Sequence, residues 1–292
     1  MIESMREDFT INELCEALEV SKSGYFRWRS AQPSARQREN ERLLEEMNRI
    51  HADRHTRCYG SPRMTEELRE RGYQCSENRV ARLMAHHGLV ARPRRPFRPK
   101  TTQSDGDAQP APNRLSERPP PAQPGEVLIS DITYVATAEG WLYLAVVIDL
   151  FSRSVLGWKL GNSLHTELVV DAFDQAFRAF RPPDGGLFHS DRGCQYTSRT
   201  FRQRLEAHGL LQSMSATGYC YDNATAESFF ATIKAEAFPP GAVFSSKLEA
   251  RRAIFDYLET FYNRRRKHSS LGYRSPDQFL KTHFQNQQTH LN

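Results

Sequence analysis

Three carboxylates carry the first chemical signal in this 292-residue chain. Asp131 falls inside VLISDITYVAT (127–137), which reads as a β-strand. Alternate side chains of a strand share a face, so Asp131 shares one with Val127, Ile129, Thr133 and Val135. An ionised carboxylate in a mostly apolar row is costly unless something compensates it, either a metal ion or a buried partner. Asp191 ends GLFHSD (186–191), a second expected strand, with Gly193 at the exit turn. Taken alone, an ordinary turn-forming aspartate explains it as well. Glu227 lies in the first turns of the helix expected through DNATAESFFATIKAEAF (222–238). The helix dipole alone would favour an acid there. Together the three make a sharper case. Hard divalent cations take oxygen ligands. Two such ions roughly 3.5–4 Å apart can activate an attacking oxygen and stabilise a leaving one in phosphoryl displacement. Two aspartates on neighbouring strands and a glutamate on a packed helix could form that cage. Asp149, at the turn after the next strand, reads as a structural acid, and Asp222 and Glu236 are weaker rivals.

The elements around these residues read as a mixed α/β sheet. WLYLAVVIDLFS (141–152) is a nearly continuous apolar run of strand length, as a central strand requires. SVLGWKL (154–160) is the third strand of an antiparallel meander. HTELVVDAFDQAFRAF (165–180) is amphipathic at the helical period, with Leu168, Ala172, Phe173, Ala176, Phe177 and Phe180 on one face. After the strand 186–191 come a helix at 198–209, a short strand LLQSMS (210–215), the Glu227 helix, and a long helix from about Ser245 to Asn263. Five strands with helices on both faces follow from this order.

Residues 1–90 read as helical. INELCEALEV and SKSGYFRWRS, with Ser21 as cap, form a first helix pair. SPRMTEELRERG (61–72) has Ser61 as a possible cap, Pro62 at the first helical position and Gly72 as a stop. YQCSENRVARLMAHHG (73–88) starts its helix at Ser76. Either pair fits a helix-turn-helix or a plain helical hairpin. Arg79 and Arg82 lie off the apolar face of Val80, Leu83 and Met84, free for a groove or a phosphate, though a solvated charged face would look the same. Residues 101–126 are rich in proline and polar residues and read as a semi-stiff linker. The expected division is therefore 1–50, a first helical region; 51–100, a second helix-turn-helix-like unit with a basic tail; 101–126, the linker; and 127–285, the α/β domain.

The net charge is +5, and its distribution is more telling than its size. ARPRRPFRPK (91–100), with Arg94 and Arg95, holds five basic residues and no acid. NRRRKH (263–268), with Arg264, Arg265 and Arg266, is a second basic knot. Two such clusters flanking a carboxylate site favour phosphate contact. No apolar run reaches the roughly 18 residues of a membrane span, and MIESMREDFT is not a secretory signal, so a cytosolic protein is expected. Five cysteines without a CxxC fit reduced thiols, and His51, His55, Cys58 and Cys75 lack zinc-finger spacing.

SDITYVAT, GWLYLAVVIDLFSRSVLGWKL, FHSDRGCQYTS and YDNATAESFFATIKAE resemble the catalytic core shared by retroviral integrases and DDE insertion-sequence transposases. The nearest match is the downstream-frame product of two-frame bacterial insertion sequences. Thirty-five residues lie between Asp191 and Glu227, the family's spacing. HSSLGYRSPDQF (268–279) and YGSPRMTEELRERGYQCSENRVARLM extend the likeness over nearly the whole chain except the linker. The resemblance implies an RNase-H-like fold and a triad of Asp131, Asp191 and Glu227 as catalytic and metal-binding residues, with Mg²⁺ or Mn²⁺, two ions per site. It implies that Lys234, two helical turns from Glu227, contacts the element's DNA ends. Asn223, as helix cap, would orient the Glu227 helix. Implied partners are terminal-repeat and target DNA, further copies of the chain on paired ends, and an upstream-frame helix-turn-helix product. The implied activity is DNA cleavage and strand transfer in the nucleoid; the alternatives are a nuclease that does not join strands and a catalytically dead DNA-binding regulator. The family often has Trp where this chain has Leu128, which reads as altered packing.

Overall fold

The computed structural model describes residues 2–91, 110–215 and 224–289. Helices come first: α1 (Ile11–Ala17), α2 (Lys22–Ser30), α3 (Ala35–Ala52), α4 (Ser61–Glu70) and α5 (Glu77–His86). Their starts follow local capping chemistry. Thr10 with Glu13 and Ser34 with Gln37 form reciprocal capping boxes, while Ser21 and Ser76 accept from the third amide of α2 and α5. At α4 the expected cap is displaced by one residue: Gly60 caps, and Ser61 is already helical with Pro62 in the first turn. Leu43, Met47 and Ile50 of α3 pack with Met64 and Leu68 of α4 and Val80, Leu83 and Met84 of α5. The division expected at residue 50 thus falls inside α3, which supplies a wall of the α4–α5 core.

The sheet follows the order β3-β2-β1-β4-β5, with β6 on the β1 edge. β1 (Val127–Thr137), β2 (Gly140–Asp149) and β3 (Val155–Gly161) form an antiparallel meander. β4 (Leu187–Ser190) and β5 (Leu211–Met214) add in parallel. β6 (Val243–Phe244) is a sixth strand beyond the five expected, because two residues carry no readable period. On one face, α6 (Thr166–Ala179), α7 (Cys194–Thr197) and α8 (Arg199–Ala207) cover Leu128, Ala145, Val147 and Phe188, with Phe173 and Phe201 fully buried. Leu128 packs entirely within this cluster. α6 lies so close to β3 that a Cβ on Gly157 would meet the Ala172 carbonyl oxygen at 2.1 Å. On the other face, α9 (Ala224–Glu236), α10 (Lys247–Asp256) and a π-helical continuation (Tyr257–Tyr262) cover Val135, Leu144, Val146 and Ile148. α11 (Pro276–Thr289) follows. No helix among the described residues is long and apolar enough to cross a membrane.

Two features of the joints depend on tertiary packing. The described part of the proline-rich stretch, from residue 110, packs on the core. Ala111 and Leu115 pack on the two faces of the sheet, and the Arg114 amide donates to Ser213 Oγ at 3.0 Å. The helical unit also docks directly on the α/β core: Tyr59 is fully buried in the α9–α10 cluster, and His55 stacks on Phe261 at 4.8 Å.

Candidate active site

β1 pairs with β4 only at Val127–Ile129 and with β6 only at Ala136–Thr137. Among the described residues no strand pairs with this edge of β1 between them, and Asp131 stands in that gap. Ile129 is opposite His189, so two residues further on, Asp131 comes level with Asp191 on the adjoining parallel chain. The two-residue period puts both carboxylates on the face that carries Val127, Ile129 and Leu187. Beneath both lies Tyr196, completely buried, whose hydroxyl sits 2.8 Å from Ser130 Oγ. Burial and the fields of Asp131 and Asp191 keep this phenol neutral, far above its ordinary pKa. Tyr196 is therefore a floor and no nucleophile.

Asp131 Oδ1 accepts from the Ile132 amide at 2.7 Å. Asp191 Oδ1 accepts from the Gly193 amide at 3.0 Å. Burial pushes the Asp191 carboxyl above the usual carboxylate range, and that one hydrogen bond only partly offsets it. Lys234, on α9, faces the same opening; burial lowers its ammonium to about 8, and Asp131 acts in the opposite direction. Glu227 is exposed in the first turn of α9, next to Ala226, which packs on Val127, Ile129 and Leu187. The structure thus brings Asp131, Asp191 and Lys234 to one opening, with Glu227 exposed in the first turn of the helix that bears Lys234. Among the described residues no three acid, His or Cys side chains stand together closely enough to hold an ion. The donor set still suits a hard divalent cation. It is all oxygen, and a cation would relieve the desolvated charge of Asp191.

The basic residues divide. Arg82 and Arg264 are exposed. Arg79 is not free for a groove, since it donates to Asn40 at 2.8 Å and pairs with Glu39 at 3.0 Å. Arg265 pairs with Asp53 at 3.2 Å, across to the helical unit. Arg266 is buried and grips Glu236 through Nε at 2.7 Å and Nη2 at 2.8 Å, so it cannot reach a phosphate. The sequence alone could not separate these, because a buried and an exposed arginine look alike in a basic run. Arg94, Arg95, Asn223 and Asp222 lie outside the described residues. Of the rival acids, Asp149 is buried and accepts from the Gly125 and Ser152 amides, each at 2.9 Å, and from Ser152 Oγ. Arg153 was not singled out in the sequence. It reaches from the β2–β3 turn to Thr225, two residues before Glu227.

Sheet order, helices on both faces and a pair of aspartates level across β1 and β4 define an RNase-H-like integrase core. Residues 121–220 and 208–276 match integrase core domains, and residues 38–97 match an HTH-like domain. The chain is 40% identical over 272 residues to the insertion element IS600 uncharacterized 31 kDa protein of Shigella sonnei, covering 93% of this chain and 99% of that one. It is 39% identical over 282 residues to the transposase InsF for insertion sequence IS3A of Escherichia coli, covering 95% and 96%. Among solved structures, the magnesium-bound catalytic core of HTLV-2 integrase aligns at 16% identity over 55% of this chain and 98% of that one, with a TM-score of 0.40. The chain belongs to the IS3 family of insertion-sequence transposases, whose work is transposition and DNA integration.

Proposed function

We propose that this transposase cuts and joins DNA at the terminal inverted repeats of its element by direct polynucleotidyl transfer, with Asp131, Asp191 and Glu227 as the acidic triad. The observation that carries this reading is the pair of aspartates level on adjacent parallel chains, in the gap between β4 and β6. Asp131 and Asp191 would hold divalent metal, Mg²⁺ or Mn²⁺, and Glu227 would complete the ligand set from α9. When bound, the metal supplies Lewis-acid stabilisation of the oxygens at phosphorus. The chain's own residues do the rest. Asp131 and Asp191 present oxygen donors from a rigid sheet edge, which holds the reacting phosphodiester in one geometry. Tyr196 and the Val127–Ile129–Leu187 patch close the floor against water. Lys234 offers its ammonium to a DNA phosphate beside the aspartates, and Arg82 and Arg264 extend that contact outward. Two DNA ends require two sites, so the working form contains at least two copies of the chain, with an upstream-frame helix-turn-helix product as a further partner.

A strand-transfer assay on a labelled terminal-repeat duplex with Mg²⁺ tests this. The chain, or its fusion to the upstream product, is expected to give joined product, and Glu227→Gln none. Cleavage without joining would make the protein a nuclease. Full joining by Asp131→Asn would remove the triad.

A further inference from the structure

The tight turn between β2 and β3 is built around Asp149. Its carboxylate takes the Gly125 and Ser152 amides and the Ser152 hydroxyl, and its carbonyl takes the Arg153 amide at 2.9 Å. Arg153 itself adopts φ 62°, the left-handed region that a non-glycine side chain disfavours. Nothing in the turn's own hydrogen bonding requires arginine there. The half-buried side chain leaves the turn and donates from Nη1 to Thr225 Oγ1 at 2.6 Å. It makes no ion pair among the described residues; burial lowers its pKa, while Tyr262 and Asp149 support the charge only at longer range. A half-buried guanidinium on a strained backbone, spending a hydrogen bond on one hydroxyl, is costly to keep. What it grips is the second residue of α9, two positions before Glu227.

We infer that Arg153 is a positioning residue: it ties the first turn of α9 to the rigid β2–β3 turn, and so sets where Glu227 stands relative to Asp131 and Asp191. The consequence for catalysis rests on the reading of Glu227 as the third acid; the mechanical tie does not. Ala226 packs on Val127, Ile129 and Leu187 from below, which limits how closely α9 approaches the sheet. The Arg153–Thr225 bond limits sliding and rotation of the helix start. Both constraints act on the turn that bears Glu227, and neither involves substrate.

Three single variants of the full chain, and the double variant Arg153→Gly with Thr225→Val, test it. Arg153→Gly suits φ 62° and keeps the turn while removing the tie. Thr225→Val removes the acceptor with little change in shape. Arg153→Lys keeps a donor. Hydrogen–deuterium exchange over residues 224–230 without DNA reads the tie, and the strand-transfer rate at saturating DNA, beside repeat affinity, reads its consequence. For Arg153→Gly we expect an unchanged or raised Tm, exchange faster by about tenfold, affinity within about twofold and a rate lower by about 10²-fold. Thr225→Val should reproduce this, the double variant should be no worse than either single one, and Arg153→Lys should recover part of the rate. Unchanged exchange in Arg153→Gly overturns the tie. Additive losses in the double variant also overturn it. Lost affinity with a normal rate at saturation would overturn it in favour of a direct phosphate contact. If exchange rises but Glu227→Gln remains active, the tie stands and the triad reading fails instead.

Discussion

Helix α9 carries a glutamate near each end, and the protein treats the two in opposite ways. Glu236 is buried and accepts from Arg266 twice, from Arg63 at 3.1 Å and from the Tyr257 hydroxyl at 2.7 Å. Burial alone would raise its pKa, but the two guanidiniums more than offset this and hold it below the usual range. Glu227 is exposed and makes no ion pair among the described residues. The sheet repeats the contrast. Asp149 is surrounded by donors, whereas Asp191 has a single amide and a raised pKa. Acids that build the fold are completed by the protein. Among the described residues, Asp191 and Glu227 lack such a set of donors. The difference lies in what surrounds each carboxylate and not in residue type.

Substitution should split the two groups cleanly. Asp131→Asn, Asp191→Asn and Glu227→Gln should each cut strand transfer by at least about 10³-fold, with no loss of thermal stability. A variant of this set that unfolds while keeping its specific activity would break the comparison. Glu236→Ala should instead lose about 3–5 kcal/mol in denaturant unfolding, because the buried Arg266 and the half-buried Arg63 lose their counter-charge. It should also loosen the helical unit, since Arg63 belongs to α4. Replacing Glu236 and Arg266 together by Met should recover most of that loss. Asp149→Asn should lose about 1–3 kcal/mol, since an amide cannot accept from all the donors there.

Smaller effects sharpen the contrast. Lys234→Ala should weaken repeat binding and reduce the slope of log affinity against log salt by about 1, as loss of one phosphate contact does. Asp191→Asn should raise the stability of the metal-free protein, because it removes a carboxylate whose ionised form is disfavoured by burial. The pH dependences run in opposite directions. The folded pKa of Asp191 is raised, so its ionisation costs stability at neutral pH, and the cost disappears as pH falls through that pKa. The folded pKa of Glu236 is lowered, so its contribution is complete above its unfolded value and is lost as pH falls through the folded one. Acid unfolding curves of Asp191→Asn and Glu236→Gln, compared with wild type, check both signs.

Much of the architecture was legible because it is local. Strand β1 spans 127–137 as its pattern predicts, and Ser21 and Ser76 cap as expected. These depend on side chains within a few residues of one another, and periodicity records them directly. The two-residue β6 and the recruitment of α3 left no such record, since pairing of a short strand and burial of a helix face are decided by distant partners. The same holds for charge. The knot at 263–268 promised phosphate contacts, yet Arg266 is spent on Glu236, Arg265 on Asp53 and Lys267 on Glu70.

By itself, then, the sequence determined the family, the order of strands and helices, and the three acids worth testing, because motif spacing and side-chain period are properties of the chain alone. Only the tertiary structure decided which carboxylates are satisfied, which arginines are buried, and that the helical unit is clamped to the catalytic core. Those outcomes depend on the donors and the water that surround each charge once remote segments have packed, and no stretch of sequence contains both halves of such a contact.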